Sequence, residues 1–399
     1  MSKATLCCQL FYPEMVSTGQ TLTELAEVLS DMGVQLDVLC GPATVLKQTQ
    51  RIPNTLSYHG IDIRRVWGTT FSKLSLVGRV INQVTYTLSM FWALLWDKKR
   101  TPLVVLTNPP FLGIVCALIS RLYARPMIYV IFDVYPETAI ACGLIDKNSL
   151  IAKMWRTLNQ FCFHTSRSIV VLGRCMKTVI EAQLCKNDLP KLHHIHMWTD
   201  DNLLRKAPHI PNIFRKKWGL EDTFVLLYSG NMGRFHDMET FIKSAEILAD
   251  VSFVFVGEGQ KKQWCEHYAA TKNLKNCQFH SYVKRDELPD LMGMADIGLV
   301  SLLPAQVGLS VPSKTFGLMA AGVPIVAVMP ETSEIALILT ENHCGSVIEP
   351  GNINGFIKAI NSLRDDPEKR HLWGKAGKEL INKKYSLAAA AEAYRLLFL

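Results

Sequence analysis

Short apolar runs alternate with amphipathic stretches along the whole chain of 399 residues. In the first half, ATLCCQLF, VQLDVLC, PLVVLT, PMIYVIFD and SIVVLG read as buried strands, and IDIRRVW alternates like a further one. Helical spacing fills the gaps between them, from Thr18 to Met32, near residues 75–97, and from about Phe111 to Leu122. The second half repeats the theme with TFVLLYSG, VSFVFVG, NCQFHSYV, DIGLVSL, VPIVAVM and GSVIE. Strands that are apolar on both faces, separated by helices, predict parallel sheets covered on both sides. The length suits two domains of about 150–200 residues. The pattern therefore predicts two doubly wound α/β domains, residues 1–195 and 196–382, joined near HHIHMWTDD. Ligands of such sheets bind beyond the carboxyl ends of strands, so the active site is expected in a cleft between facing domains.

Charge sharpens this picture. Residues 1–199 hold 20 Lys and Arg against 12 Asp and Glu, whereas residues 200–399 hold 23 of each. The whole excess of positive charge lies in the first half, which points to an anionic substrate or surface there. Nucleic acid is disfavoured, because no basic stretch is interleaved with aromatics as a stacking platform requires. The eleven cysteines lack framework spacing and predict reduced, mostly buried thiols in a cytoplasmic protein. MSKATLCCQLFYPE does not read as a signal peptide. VGRVINQVTYTLSMFWALLW is too polar to span a bilayer. Trp92, Trp96 and the following Lys98, Lys99 and Arg100 suit either an interfacial helix or one packed on its own domain.

Candidate chemistry concentrates in three loops that follow strands of the second half. In YSGNMGRFHD, Gly230 and Gly233 permit close backbone approach and Arg234 offers a bidentate partner for phosphate. In FVGEGQ, Gly257 and Gly259 follow the strand, with a helix expected from Gln260. In VPSKTFGLMAAGVPIVAV, Ser313 is placed to cap a helix whose free N–H groups, with Lys314, would hold an anion. P-loop spacing is absent, so ordinary NTP hydrolysis is disfavoured. Each loop alone is equally compatible with turn and capping chemistry. His193, His194 and His196 lack a further ligand at metal-binding spacing.

The order of these segments resembles the GT-B glycosyltransferases, in particular the retaining nucleotide-sugar-dependent family 4. FYPEMVSTG, NPPFLG, FDVYPE, SGNMGRFHDMET, FVGEGQ, SYVKRDELPDLMGMADIGLVSL and VPSKTFGLMAAGVPIVA occur in the expected order across nearly the whole chain. The resemblance implies a Rossmann-like acceptor domain, a Rossmann-like donor domain, and a C-terminal helix in residues 383–399 crossing back to the first. It places the amide of Gly19, in the loop after the first strand, against the donor diphosphate. Gly230, Asn231 and Gly233 would lie under the diphosphate and sugar, Gly257 and Glu258 near the nucleoside, and Tyr282 and Val283 at the base. Ser313 and Lys314 would hold the phosphates. Two glutamates of many relatives align with Leu309 and Gly317, and the family's common Arg and Lys fall at Asn231 and near His236. The GNMG and PSK pattern is similar to the branch that builds bacterial surface polysaccharides.

Retaining transfer needs the departing diphosphate stabilised while the acceptor hydroxyl attacks from the same face. Lys314, assisted by Arg234, is the expected cation, and no metal or other cofactor is expected, because no DxD-like pair sits in a donor loop. Asp133, with Glu137 second, is the expected carboxylate for acceptor or proton, although an N-cap role for Asp133 fits equally. The expected partners are a nucleoside-diphosphate sugar and a glycan or lipid-linked acceptor, met at the inner membrane face by the basic first half. The rival expectation is an inactive subunit that recruits a partner transferase, motivated by the missing glutamates.

Overall fold

The computed structural model describes residues 3–14, 18–43, 52–71, 76–199 and 211–398. Residues 200 and 201 of the expected joint lie outside the described residues. The chain divides into two compact units, Met1–His196 with Leu387–Leu399, and Met197–Ser386.

The first unit is built on eight strands: β1 (Lys3–Cys8), β2 (Gln35–Cys40), β3 (Thr55–Tyr58), β4 (Ile61–Arg65), β5 (Leu103–Leu106), β6 (Met127–Ile131), β7 (Ser168–Val171) and β8 (Leu192–His194). Their order is β3-β4-β2-β1-β5-β6-β7-β8, parallel except for the antiparallel β3–β4 pair. The fully buried strands β5, β6 and β7 are the continuous apolar runs of the sequence. Edge strands β3 and β8 were not legible there, because both are short and none of their residues is buried. The helix Leu387–Leu396 joins this unit and packs on the helix Thr18–Asp31. All eleven cysteines are free thiols. Among the described residues, no helix is long and apolar enough to cross a membrane.

The second unit holds six parallel strands: β9 (Phe224–Ser229), β10 (Val251–Val256), β11 (Cys277–His280), β12 (Ile297–Ser301), β13 (Ile325–Val328) and β14 (Gly345–Ile348). Their order, β11-β10-β9-β12-β13-β14, reverses direction between β9 and β12. That reversal opens a crevice beyond the carboxyl ends of these two strands. Below it, Tyr228, Phe241, Phe253, Phe255 and Phe356 form a fully buried aromatic core that fixes the strands bearing the loops.

Candidate active site

At the reversal point the loops from β9, β10 and β12 are tied to one another. Gly230 N–H donates to the Val256 carbonyl at 2.8 Å, and Met232 N–H to the Glu258 carbonyl at 2.8 Å. Leu303 N–H donates to the Phe235 carbonyl at 2.8 Å, binding the β12 loop to the β9 loop. The contact between the first two loops is so close that a Cβ on Gly257 would stand 2.1 Å from the Gly230 carbonyl oxygen. Gly257 also holds φ at 142°, a conformation natural to glycine alone. A Cβ on Gly259 would meet the Met232 carbonyl oxygen at 2.4 Å. These glycines therefore serve loop-to-loop packing as well as any ligand.

Lys314 opens the helix Lys314–Ala320 and reaches across to β9. Its Nζ donates to the Tyr228 hydroxyl at 2.5 Å and lies 3.7 Å from the centre of that ring. The Tyr228 hydroxyl in turn donates to the Asn231 carbonyl at 2.8 Å. The phenol's one proton is thus committed, and its lone pair faces the ammonium. Among the described residues no carboxylate pairs with Lys314, and burial lowers its pKa well below the ordinary lysine value. The Lys314 stem runs beside Gly230, where a Cβ would stand 3.3 Å from its Cδ.

His236 is the second perturbed group. Its Nδ1 lies 2.8 Å from the Ser301 carbonyl oxygen, which can only accept, so Nδ1 carries a proton. Burial, then the charge of Lys314, press its pKa down to about 3, so the ring is neutral with Nε2 deprotonated. Lys261 Nζ donates to the His236 carbonyl at 2.8 Å. Tyr228, His236 and Lys261 were not singled out as functional in the sequence. The available signals were the position of Tyr228, two residues before the loop glycine, and the family's common Lys falling near His236.

Other expected residues fall nearby with specific partners. Arg234 is exposed and its Nε donates to Gln260 Oε1 at 2.7 Å. The side chain of the exposed Asn231 lies against both Gly233 and Gly259, where an added Cβ would stand 2.7 Å from its Nδ2 and its Oδ1 respectively. Glu258 pairs with Lys262 at 3.0 Å, which lowers its pKa. Tyr282 is exposed beside Gly257, and Val283 is half-buried. Leu309 is buried, and Gly317 lies within the helix Lys314–Ala320.

Three expectations need correction. Ser313 occupies the N-cap position but has helical dihedrals and makes no side-chain cap. Gly19 is not in a loop: it is the second residue of the helix Thr18–Asp31, and a Cβ there would stand 2.7 Å from the Glu14 carbonyl oxygen. The helix after FVGEGQ runs Lys262–Thr271, two residues later than expected.

In the first unit, Asp133 follows β6 and lines a recess with Thr107, Tyr129, Tyr135, Asn159 and Phe163. It is not an N-cap, since the next helix, Glu137–Ala141, has Pro136 at that position. Burial raises its pKa to about 6. Glu137 is instead engaged by Arg156 at 2.9 Å. His194 and His196 meet edge to face, with ring centroids 4.2 Å apart.

Because the folded pKa of Asp133 exceeds the unfolded one, its contribution to stability is fully present below about pH 4 and lost as pH rises through about 6. Asp133→Asn should therefore stabilise the protein by about 1–3 kcal/mol at pH 7.5 and scarcely at pH 4. Urea unfolding at both values checks this. An equal effect at the two pH values would show that burial of charge is not the cause.

Comparison with known proteins decides the class. Residues 211–380 match the family described as Glycosyl transferases group 1. The second unit is a group 1 glycosyltransferase domain. The chain is 26% identical over 298 residues to the probable glycosyltransferase WbjE of Pseudomonas aeruginosa, covering 73% of each chain. It is 23% identical over 378 residues to the putative colanic acid biosynthesis glycosyl transferase WcaI of Escherichia coli K12, covering 88% of this chain and 89% of that one. Its fold matches Anabaena Alr3699/HepE, solved in complex with UDP and glucose, with a TM-score of 0.75 at 14% identity over the full length of both chains. The glycosyltransferase has the two-domain α/β architecture of the GT-B class.

Proposed function

We propose that this glycosyltransferase moves a sugar, with retention at the anomeric carbon, from a nucleoside-diphosphate sugar to a hydroxyl of a lipid-linked acceptor in surface polysaccharide synthesis. The second unit takes the donor and the first takes the acceptor. The observation behind this is Lys314: a desolvated ammonium without a carboxylate partner among the described residues, held by Tyr228 beside Gly230. Such a group is costly to keep and gains most from an anion. UDP bound to HepE and the colanic acid role of WcaI point the same way.

In the transfer, the bond from the anomeric carbon to the diphosphate oxygen breaks and its electron pair goes to the diphosphate. Lys314 stabilises that charge as it develops, and Arg234 assists from the rim. The acceptor hydroxyl bonds the anomeric carbon from the same face. Its proton passes to the leaving phosphate or to Asp133, whose pKa near 6 lets it exchange protons close to neutral pH. Ser313, at the exposed start of the helix, offers its hydroxyl to the phosphates, while Tyr282 and Val283 border the base. Gly19 contributes a backbone kept free of side-chain bulk.

Thermal unfolding with a panel of nucleoside diphosphates and nucleotide-sugars tests this reading. One nucleotide class at 100 times its dissociation constant should add about 2.7 kcal/mol of stability. Absence of stabilisation by every donor would leave the inactive-subunit reading standing instead.

A further inference from the structure

Three helices of the first unit, Leu76–Leu95, Leu112–Tyr123 and Leu150–Thr165, pack side by side in that order. None of them contains an aspartate or glutamate. Each buries one stripe against the sheet; in the first helix it is Tyr86, Met90 and Leu94. The remaining faces would ordinarily be polar.

Here they are not. On the first helix Val84, Leu88 and Trp92 are exposed at helical spacing, and Trp96, just beyond its end, is 76% exposed. The second helix exposes Leu118 and Leu122, and the third exposes Leu150, at 83%, with Ile151 and Met154. Single exposed apolar residues are unremarkable, but a run across three adjacent helices marks a surface that binds something. Basic residues accompany it: Lys98, Arg121 and Lys153 are exposed, and no carboxylate pairs with them among the described residues.

The chemistry selects the occupant. Protein–protein interfaces are depleted in lysine. Acid-free helices with apolar and tryptophan side chains beside unpaired cations match a bilayer's headgroup boundary, where tryptophan is amphipathically placed and phosphates supply the counter-charge. We propose that this three-helix face docks on an anionic lipid surface. Trp92, Trp96, Leu122 and Met154 enter the boundary between headgroups and acyl chains, and Lys98, Arg121 and Lys153 meet lipid phosphates. The inference gives the lipid-linked acceptor a place to be met, but its test does not depend on the transfer reaction.

The test is co-sedimentation of the full chain with vesicles of phosphatidylcholine alone or mixed with phosphatidylglycerol. Quenching of tryptophan fluorescence by brominated acyl chains is read in parallel. The wild type should bind the anionic vesicles, release with added salt, and show quenching. Arg121→Ser and Lys153→Ser should each weaken binding about fivefold. The double variant Leu122→Glu with Met154→Glu should weaken it at least about tenfold while circular dichroism shows the fold intact. Failure to bind either vesicle, or equal binding by the double variant, would overturn the proposal. So would a solution dimer that the double variant dissolves, since the face would then belong to a second copy. No nucleotide or acceptor is present, so failure here is distinct from failure of the transferase reading.

Discussion

Lys314→Met should lower kcat/KM for sugar transfer by about 10²–10³ while leaving the protein as stable as the wild type or more so. The two halves of that result have one cause. Lys314 is half-buried with a phenol as its ammonium's hydrogen-bond partner, and this desolvation lowers its pKa below the ordinary lysine value. The folded chain therefore holds this proton less tightly than the unfolded chain. Stability is reduced at every pH below the folded pKa, and rises with pH between that value and the unfolded one. Methionine fills similar space without the charge and removes the cost. An anion brought beside Lys314 reverses the shift, so nucleoside diphosphate binding should take up a proton where the unliganded lysine is partly neutral. Calorimetry in buffers of different ionisation enthalpy measures that uptake, and Lys314→Met should abolish it. A loss of activity smaller than tenfold would remove Lys314 from its assigned role.

Gly257→Ala is expected to destabilise the second unit by about 3 kcal/mol or more and to eliminate nucleotide binding. The added methyl would fall 2.1 Å from the Gly230 carbonyl oxygen and 2.9 Å from its carbon, and both are backbone atoms that no rotamer change can clear. The φ of 142° adds strain for any side chain. Relief requires the β9 and β10 loops to part, which moves Gly230 away from the Lys314 stem it now borders. Gly351→Ala is the control: its φ is 83°, but nothing lies within 4 Å of the added atom. It should cost only about 1 kcal/mol and leave binding intact. Denaturant unfolding and nucleotide titration of the two variants separate strain from loss of the cradle. Wild-type nucleotide affinity in Gly257→Ala would show that these loops do not form it.

By itself the sequence determined the two sheets, because a strand buried on both faces must be largely apolar: β5, β6 and β13 are apolar throughout, and β7 and β10 are broken only by Ser168 and Ser252. It also placed Lys314 at a helix start and the glycines directly after strands, since those signals are local. What it left open was every relation that depends on which distant segments become neighbours. Edge strands β3 and β8 are too short and too polar to stand out. The glycine of the first helix could be read as a loop residue, because only the packed Glu14 carbonyl shows why a side chain is excluded there. Ser313 and Asp133 looked like caps, yet neither caps a helix, because an oxygen near a helix start caps only when its own dihedrals aim it at the free N–H groups. Tyr228 read as a core strand residue and is one, fully buried; its hydroxyl gained a role only when β12 was laid beside β9. That strand order brings Lys314 across 86 positions to the phenol. No pattern local to either segment could specify it, because the pairing is chosen by the packing of the whole sheet.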